Sequence, residues 1–226
     1  MKKIALVVAA GIGSRMQSQI PKQFLVLGSK PVLMHTIQAF FDADATTEIV
    51  LILHSDYVAY WQQLCVKYAF DAPHSLVAGG SERFFSVKNA IDSIKPTPNC
   101  LVAIHDGVRP LVSQKLINEL YHTAKEHAAA IPVVALKDSI RSTVTHRTAD
   151  RSAFKLVQTP QVFGLELLKK AYNQAYSPLF TDDASVVEAL GQEIRLVAGE
   201  ATNIKITEPL DMLLAQVILN ENKHKT

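Results

Sequence analysis

Short apolar runs alternate with helical patterns over the first 136 residues of the chain. Five runs have the length and composition of buried strands, at residues 4–10, 48–54, 75–78, 101–105 and 129–136. Four segments with helical periodicity lie between them, at residues 32–41, 58–69, 84–94 and 114–127. This βαβαβαβαβ order predicts an α/β fold with a Rossmann-like, doubly wound and mostly parallel sheet that has helices on both faces.

The pattern changes in residues 137–150, which read KDSIRSTVTHRTAD and have no wide apolar face. Their β-branched content favours a two-stranded ribbon, a β-arm that projects from the domain. Because an isolated hairpin is marginally stable in water, we expect a partner subunit to cover it. A flexible surface loop is the alternative that the pattern leaves open.

Helical and strand patterns return after residue 150, with helices predicted at residues 165–176 and 183–190 and strands at residues 193–197 and 203–206. The last helix has apolar residues at helical spacing that are expected to face the core, namely Leu210, Leu213, Leu214, Val217 and Ile218. The 226 residues include no segment with linker composition. Residues 1–226 are therefore expected to form one domain.

Composition excludes several classes of protein. The net charge is +2 with dispersed lysines and arginines, which gives no reason to expect nucleic-acid binding. The apolar runs are strand-sized, whereas a membrane-spanning helix needs about 20 residues. The first apolar segment is also too short for a secretory signal. Cys65 and Cys100 have no neighbours at metal-ligand spacing, and a reducing cytoplasm is the expected location.

The first predicted strand leads directly into a glycine turn that is followed by two cations. Gly11 and Gly13 lack a Cβ, so backbone N–H groups can approach an anion closely. Arg15 and Lys22 then add a planar fork and a flexible point charge. Neither the dinucleotide fingerprint nor the NTPase phosphate loop is present. The pattern favours a site for a triphosphate, although a glycine turn after a strand is by itself weak evidence.

A carboxylate stands at the end of the fourth predicted strand, in the sequence IHDGVRP of residues 104–110. Side chains at the carboxyl ends of parallel strands face the ligand crevice. Asp106 could therefore supply an oxygen ligand to Mg²⁺, which keeps waters and phosphate oxygens as its other ligands. An aspartate before a glycine is also a common turn signal. The metal site becomes the favoured interpretation when the Gly11 loop opens on the same side of the sheet.

A second glycine loop follows the third predicted strand. Its backbone groups at Gly79 and Gly80 and the hydroxyl of Ser86 could contact a base or a sugar. A plain turn with Ser81 as the N-cap of the next helix is an alternative, and both can hold at once.

No residue has the surroundings of a catalytic nucleophile, since the sequence lacks a G-x-S-x-G elbow. Short polar groups at element boundaries also occur around Arg151, Thr159, Thr181 and Lys205, and Thr181 could be a helix N-cap. Glycine loops, cations and one carboxylate suit phosphoryl or nucleotidyl transfer, in which catalysis is mainly positioning and charge neutralisation.

Seven short motifs, in order AAGIGSRM, IPKQF, GGSERFFSV, HDGVRP, VQTPQVF, FTDDAS and NIKIT, give the chain a specific resemblance. It resembles the 2-C-methyl-D-erythritol 4-phosphate cytidylyltransferases of the non-mevalonate isoprenoid pathway over its whole length. The resemblance implies an enzyme that joins CTP to 2-C-methyl-D-erythritol 4-phosphate and releases pyrophosphate, with Mg²⁺ as cofactor. It also implies that residues 137–150 are a dimerisation arm in a homodimer.

The resemblance assigns roles residue by residue. CTP would be bound by Ala9, Ala10, Gly11, Gly13, Gly80, Ser81 and Ser86. The catalytic cations would be Arg15, Lys22, Arg151 and Lys205, and Asp106 would position Mg²⁺. The acceptor would be surrounded by Arg109, Ser139, Arg151, Thr159, Thr181 and Lys205, with Ser139 or its neighbours reaching the site of the partner subunit.

Two positions depart from the family pattern. Ser139 stands where relatives usually have threonine, and Thr202 stands where many have an acidic residue, which leaves a second metal ligand open.

Three alternatives bear on the function. A ribitol 5-phosphate cytidylyltransferase would share the CTP half, but FTDDAS favours the erythritol enzyme. Sugar-nucleotide transferases of similar architecture are disfavoured because no D-x-D pair stands at the metal strand. A non-catalytic nucleotide-binding module would not need Arg15, Lys22 and Asp106 together.

Overall fold

The computed structural model describes residues 1–11 and 20–223, and an eight-stranded sheet forms the centre of this part of the chain. The strands in chain order are β1 (Lys2–Ala9), β2 (Val26–Leu27), β3 (Lys30–Pro31), β4 (Glu48–Leu53), β5 (Ser75–Ala78), β6 (Cys100–Asp106), β7 (Ala129–Ala135), β8 (Ile140–Arg141), β9 (Thr148–Ala149), β10 (Lys155–Val157), β11 (Gln161–Gly164) and β12 (Arg195–Ala198). The helices are α1 (Val32–Ala43), α2 (Val58–Lys67), α3 (Arg83–Ser93), α4 (Gln114–His127), α5 (Leu165–Tyr172), α6 (Asp183–Glu188) and α7 (Pro209–Lys223).

The N-terminal half of the sheet has the expected parallel order. Strand β1 lies between β4 and β6 and is parallel to both, and β5 is parallel to β4 at the edge. Both faces of the sheet are covered, and for this reason the strands are continuous apolar runs in the sequence. Side chains alternate between the faces, so that Ala5 and Val7 join one core cluster while Ile4 and Leu6 join the other. The predicted α/β class with a mostly parallel, doubly wound sheet is confirmed.

The C-terminal half contains two antiparallel strands that the sequence pattern did not predict. Strand β11 lies between β6 and β7 and is antiparallel to both, and β10 is antiparallel to β7. The strand predicted at residues 203–206 is wrong, because this segment lies outside any sheet. Individual backbone hydrogen bonds hold this segment in place. In one of them, the Ile206 N–H donates to the Val108 carbonyl at 2.9 Å. The segment therefore lies beside the HDGVRP loop.

Helix α7 turns a different face to the core from the one expected. It packs on a small cluster of Leu27, Val32 and Ile206 through Met212, Ala215, Ile218 and Leu219. Four of the five residues predicted to face the core are exposed: Leu210, Leu213, Leu214 and Val217. That prediction is wrong except for Ile218, because Met212, Ala215 and Leu219 form a second apolar face at helical spacing and this face packs on the cluster.

Residues 137–150 form the expected two-stranded ribbon, in which β8 pairs antiparallel with β9. Its residues are exposed apart from Ile140, Ser142 and Ala149, which are half-buried. A role of this β-arm in dimerisation stays a prediction. Within residues 1–11 and 20–223, no helix is long and apolar enough to cross a membrane.

Candidate active site

The carboxyl ends of β1 and β6 and the loop after β5 open on one side of the sheet and surround a cavity of about 380 Å³. This first cavity is lined by most of the residues predicted to bind CTP or metal: Ala9, Ala10, Gly11, Lys22, Gly80, Ser81, Ser86 and Asp106. Parallel sheets bind ligands at this edge, because helix N-termini and loops converge there. Gly13 and Arg15 lie outside the described residues.

The first glycine loop is fixed by a side chain that the sequence analysis did not single out. The Gln23 amide nitrogen donates to the carbonyl of Ala9 at 2.8 Å and to that of Gly11 at 3.0 Å. Gln23 is buried in the short 3-10 helix Lys22–Phe24. These two bonds hold the backbone of residues 9–11, the described part of the loop, beside the cavity.

The second glycine loop packs directly against the first. A Cβ at Gly79 would lie 2.4 Å from the Cβ of Ala10, so only glycine permits this approach. The Gly80 N–H donates to the buried Ser86 hydroxyl at 2.9 Å. Ser81 does not cap helix α3, whose N-cap is Glu82. The capping role considered for Ser81 is therefore wrong, and Ser81 lines the cavity instead.

Asp106 lies between three cations. Its Oδ2 is 3.1 Å from Arg109 Nε and 3.1 Å from Lys205 Nζ, and its Oδ1 is 3.9 Å from Arg83 Nε. Burial would raise the pKa of this carboxyl, but Arg83, Lys205 and Arg109 together hold its pKa well below its usual range. The carboxylate is therefore ionised near pH 7.

A buried hydrogen-bond chain supports the Asp106 backbone. The Asp106 N–H donates to the Thr159 hydroxyl at 3.1 Å, and that hydroxyl is 3.1 Å from His105 Nδ1. His105 Nε2 lies 3.0 Å from the Arg109 carbonyl, which can only accept, so this nitrogen has the proton and Nδ1 accepts from Thr159. Burial lowers the pKa of His105 to about 4, so the ring is neutral near pH 7.

A second cavity of about 300 Å³ adjoins the first. It is lined by four of the residues predicted to bind the acceptor, namely Arg109, Thr159, Thr181 and Lys205. Three side chains line both cavities and form what we call the shared wall: Arg83, Asp106 and Lys205. Two cavities that meet at two cations and one carboxylate are suited to hold two anionic ligands with their charged ends together.

Comparisons with known proteins show the family to which the chain belongs. The family model described as 2-C-methyl-D-erythritol 4-phosphate cytidylyltransferase matches residues 3–221. The chain belongs to this family. A relative of that name from Bacteroides thetaiotaomicron is 47% identical over 221 residues, which are 97% of this chain and all of the relative.

Solved structures give the same result for the fold. The 4-diphosphocytidyl-2C-methyl-D-erythritol synthase of Anaerococcus prevotii superposes with a TM-score of 0.82 at 26% identity, covering 97% of this chain and 96% of that one. The bifunctional IspDF of Campylobacter jejuni superposes with a TM-score of 0.80 at 27% identity. The match covers 93% of this chain and 53% of the bifunctional one.

Two residues expected at the acceptor site of this cytidylyltransferase family lie elsewhere in the single chain. Ser139 and Arg151 are exposed at the two ends of the β-arm and line neither cavity. The Arg151 guanidinium donates to the Lys137 carbonyl at the base of the arm. Their role at an acceptor site stays a prediction.

Several residues at the cytidylyltransferase site escaped the sequence analysis. Asp182, rather than Thr181, is the N-cap of α6, and it forms a capping box with Ser185. Gln161 is buried and donates to Asp182 Oδ2 at 2.8 Å. Arg83, the first residue of α3, donates to Asp183 from both terminal nitrogens at 2.7 Å. The position of Arg83 directly after a glycine loop was the one signal that could have marked it.

Proposed function

We propose that this protein joins CTP and 2-C-methyl-D-erythritol 4-phosphate to form the CDP-methylerythritol conjugate and pyrophosphate. Family membership over residues 3–221 gives the reaction, and the shared wall of Arg83, Asp106 and Lys205 is the structural observation that supports it most directly. A cytidylyltransferase must bring two polyanions together. Cations between two adjoining cavities meet that requirement.

The first cavity is proposed to bind CTP. Backbone groups of Ala9, Ala10 and Gly11 would contact the nucleotide on one side, and Gly80, Ser81 and Ser86 on the other. Ser86 already bonds the Gly80 backbone, which shapes the loop before a ligand arrives. Lys22 lines the same cavity and would neutralise the triphosphate, together with Arg15 and the Gly13 backbone from the adjoining segment.

The second cavity is proposed to bind the acceptor, with Arg109 and Lys205 facing its phosphate and Thr159 and Thr181 at its rim. An acceptor phosphate oxygen would attack the α-phosphorus of CTP in line with the bond to the β-phosphate oxygen. That bond breaks as the new one forms, and the electron pair leaves with pyrophosphate. Lys22, Lys205, Arg15 and Arg151 would stabilise the charge that develops during this transfer.

A magnesium ion is proposed at Asp106. Carboxylate oxygen is the donor that Mg²⁺ prefers, and Asp106 Oδ1 lies at the long distance of 3.9 Å from Arg83 Nε, its one ion-pair contact with residues 1–11 and 20–223. Among residues 1–11 and 20–223 no group of three or more His, Cys, Asp or Glu could hold a metal, so Asp106 would share the ion with phosphate oxygens and water. The ion would supply positive charge to the transferring and leaving groups.

A homodimer is also part of the proposal. Phe154, Leu156 and Val157 leave large apolar side chains exposed at β10, which ends the strand order of the sheet next to the β-arm. Monomeric proteins avoid an exposed apolar edge strand. A partner subunit would therefore cover both strand β10 and the β-arm. The arm would then bring Ser139 and Arg151 into the site of that partner. Free Cys65 and Cys100 support a cytoplasmic location.

The reaction can be tested with the purified protein, CTP, Mg²⁺ and one acceptor at a time. Pyrophosphate release and mass spectrometry of the product should show rapid formation of the conjugate with 2-C-methyl-D-erythritol 4-phosphate. Faster release with ribitol 5-phosphate would assign the protein to that alternative activity. CTP binding without product from either acceptor would identify a nucleotide-binding module instead.

A further inference from the structure

Arg83, one residue of the shared wall, forms a bidentate ion pair with Asp183, which lies behind the wall. Arg83 Nη1 and Nη2 donate to the two carboxylate oxygens of Asp183, each at 2.7 Å, although the residues are 100 positions apart in sequence. The Tyr172 hydroxyl also donates to Asp183, at 2.6 Å. The pair therefore joins the first residue of α3 to the first residue of α6, with α5 contributing the tyrosine.

The two partners differ in what they face. The side chain of Asp183 is fully buried and lines neither cavity, whereas 31% of the Arg83 side chain is exposed and lines both. Because both terminal nitrogens are bound to Asp183, the Nε edge of Arg83 is what remains directed at Asp106, 3.9 Å from Oδ1. Burial alone would lower the pKa of Arg83, but Asp183 raises that pKa, so the guanidinium keeps its charge.

The position of Asp106 depends on cations on two sides. Arg109 and Lys205 hold Oδ2, and Arg83 is the cation on the side of Oδ1. Both terminal nitrogens of Arg83 are bound to Asp183. They are therefore not available for a bidentate bond to Asp106, and Arg83 stays at the longer distance from Oδ1. The Asp183 carboxylate thus fixes both the location of a charge at the wall and its distance from Asp106.

We propose that Arg83, held by Asp183, is a positioning residue for nucleotidyl transfer that acts through Asp106. The inference rests on the proposed function. Its role is to keep the Asp106 carboxylate oriented between the two cavities while leaving Oδ1 open to a ligand. A purely structural pair between α3 and α6 would make the same bonds to Asp183, and the two roles can be separated by experiment.

The decisive variant is Arg83→Met/Asp183→Leu/Tyr172→Phe, which replaces the buried Asp183, its Tyr172 partner and the partly exposed Arg83 with apolar groups. Apolar replacement of a complete buried ion pair is often neutral or stabilising, whereas loss of one partner is not. We expect a melting temperature close to that of the wild type but a kcat about 10- to 100-fold lower, as is typical when an outer partner of a reacting group is lost. The KM for CTP should change far less than kcat.

A triple variant that melts like the wild type and also has wild-type kcat would overturn the proposal, because the pair would then be structural only. If this variant does not fold, Asp183→Asn and Tyr172→Phe decide. Tyr172→Phe removes one bond to Asp183 and leaves its two bonds to Arg83, so kcat should stay near that of the wild type. Asp183→Asn removes the carboxylate that holds both terminal nitrogens of Arg83. The kcat per folded molecule of this variant should fall by about tenfold or more.

Equal kcat in Asp183→Asn and Tyr172→Phe, after correction for the folded fraction, would likewise contradict a positioning role. Arg83→Lys keeps the charge but loses the two-pronged bond, and its kcat should lie between those of the wild type and the triple variant. Failure of the proposed function is distinguishable from failure of this inference, because the wild-type protein would then form no CDP-methylerythritol conjugate.

Discussion

The ammonium of Lys205 lies 3.1 Å from Oδ2 of Asp106, in the wall that both cavities share. Lys205 belongs to a segment outside the sheet, whereas Asp106 ends a buried central strand. Two contacts fix that segment in place: Ile206 N–H donates to the Val108 carbonyl, and the Asn203 amide donates to the Thr159 carbonyl at 2.9 Å. The lysine is therefore held at the junction of the two cavities.

Lys205→Met should abolish most of the activity while leaving the fold intact. The substitution removes a cation from the junction but retains a long apolar stem, and loss of one contact of this kind costs about 10²- to 10³-fold in kcat. Steady-state kinetics with both substrates varied would measure it, with Lys115→Met on the exposed side of α4 as the control. An effect confined to the KM of the acceptor would mean that Lys205 only binds ground-state substrate.

Lys22→Ala tests the triphosphate side of the same reaction. Lys22 lines the first cavity at the start of a 3-10 helix whose next residue, Gln23, fixes the glycine loop. We expect kcat to fall far more than CTP affinity, because the charge on the leaving group grows in the transition state. Calorimetric titration with CTP and kinetics on the same sample compare the two. Lys67→Ala, on the exposed side of α2, is the matched control.

The first half of the fold could be predicted from the sequence because a strand covered on both faces is a continuous apolar run. Strands β10 and β11 could not be predicted, since they have three and four residues and are separated by the segment that contains Pro160. In α7, Met212, Ala215 and Leu219 also follow helical spacing, so periodicity alone did not decide which face packs.

The site, like the fold, has a part that could be predicted from the sequence and a part that could not. Asp106 and the glycine loops could be assigned because residues at the carboxyl ends of parallel strands face a common crevice. The pair of Arg83 and Asp183 could not, because nothing in a single sequence relates two residues 100 positions apart. Motif resemblance placed Thr159 among the acceptor residues, but only the structure reveals that its hydroxyl also supports the Asp106 backbone.

Gly79→Ala should weaken CTP binding by separating the two glycine loops. The added Cβ would lie 2.4 Å from the Cβ of Ala10, and neither atom belongs to a flexible side chain, so the backbone must move. CTP affinity should fall, with the fold retained by circular dichroism. Gly164→Ala is the matched control, because its Cβ would meet only the Ala128 carbonyl at an ordinary 4.0 Å. Unchanged CTP affinity in Gly79→Ala would show that the loop contact is not needed for binding.

Asp44 contributes stability that depends on pH. Lys3 donates to its Oδ2 at 2.8 Å and Thr46 donates twice to its Oδ1, and these bonds lower the pKa of Asp44 to about 2. The ionised form is favoured in the folded state, so the contribution is complete above pH 3.8 and is lost as the pH falls toward 2. Asp44→Asn should lower the free energy of unfolding by about 1 kcal/mol at pH 7, a value limited by partial exposure of the pair. Denaturant titrations at pH 7 and pH 3 should give a smaller difference at the lower pH, and equal differences would contradict this assignment.

Subunit complementation tests whether Arg151 acts across a dimer. Arg151→Ala and Lys205→Met should each give an inactive protein, but one site of a mixed dimer would combine the intact Lys205 of one chain with the intact Arg151 of the other. Random exchange between equal amounts makes half of the dimers mixed, each with one intact site of two, so activity should recover to about one quarter of the wild-type level for a two-fold symmetric dimer. Co-expression with two different affinity tags isolates the mixed dimer for assay. No recovery in a purified mixed dimer would mean that Arg151 serves its own chain, which its position outside both cavities argues against.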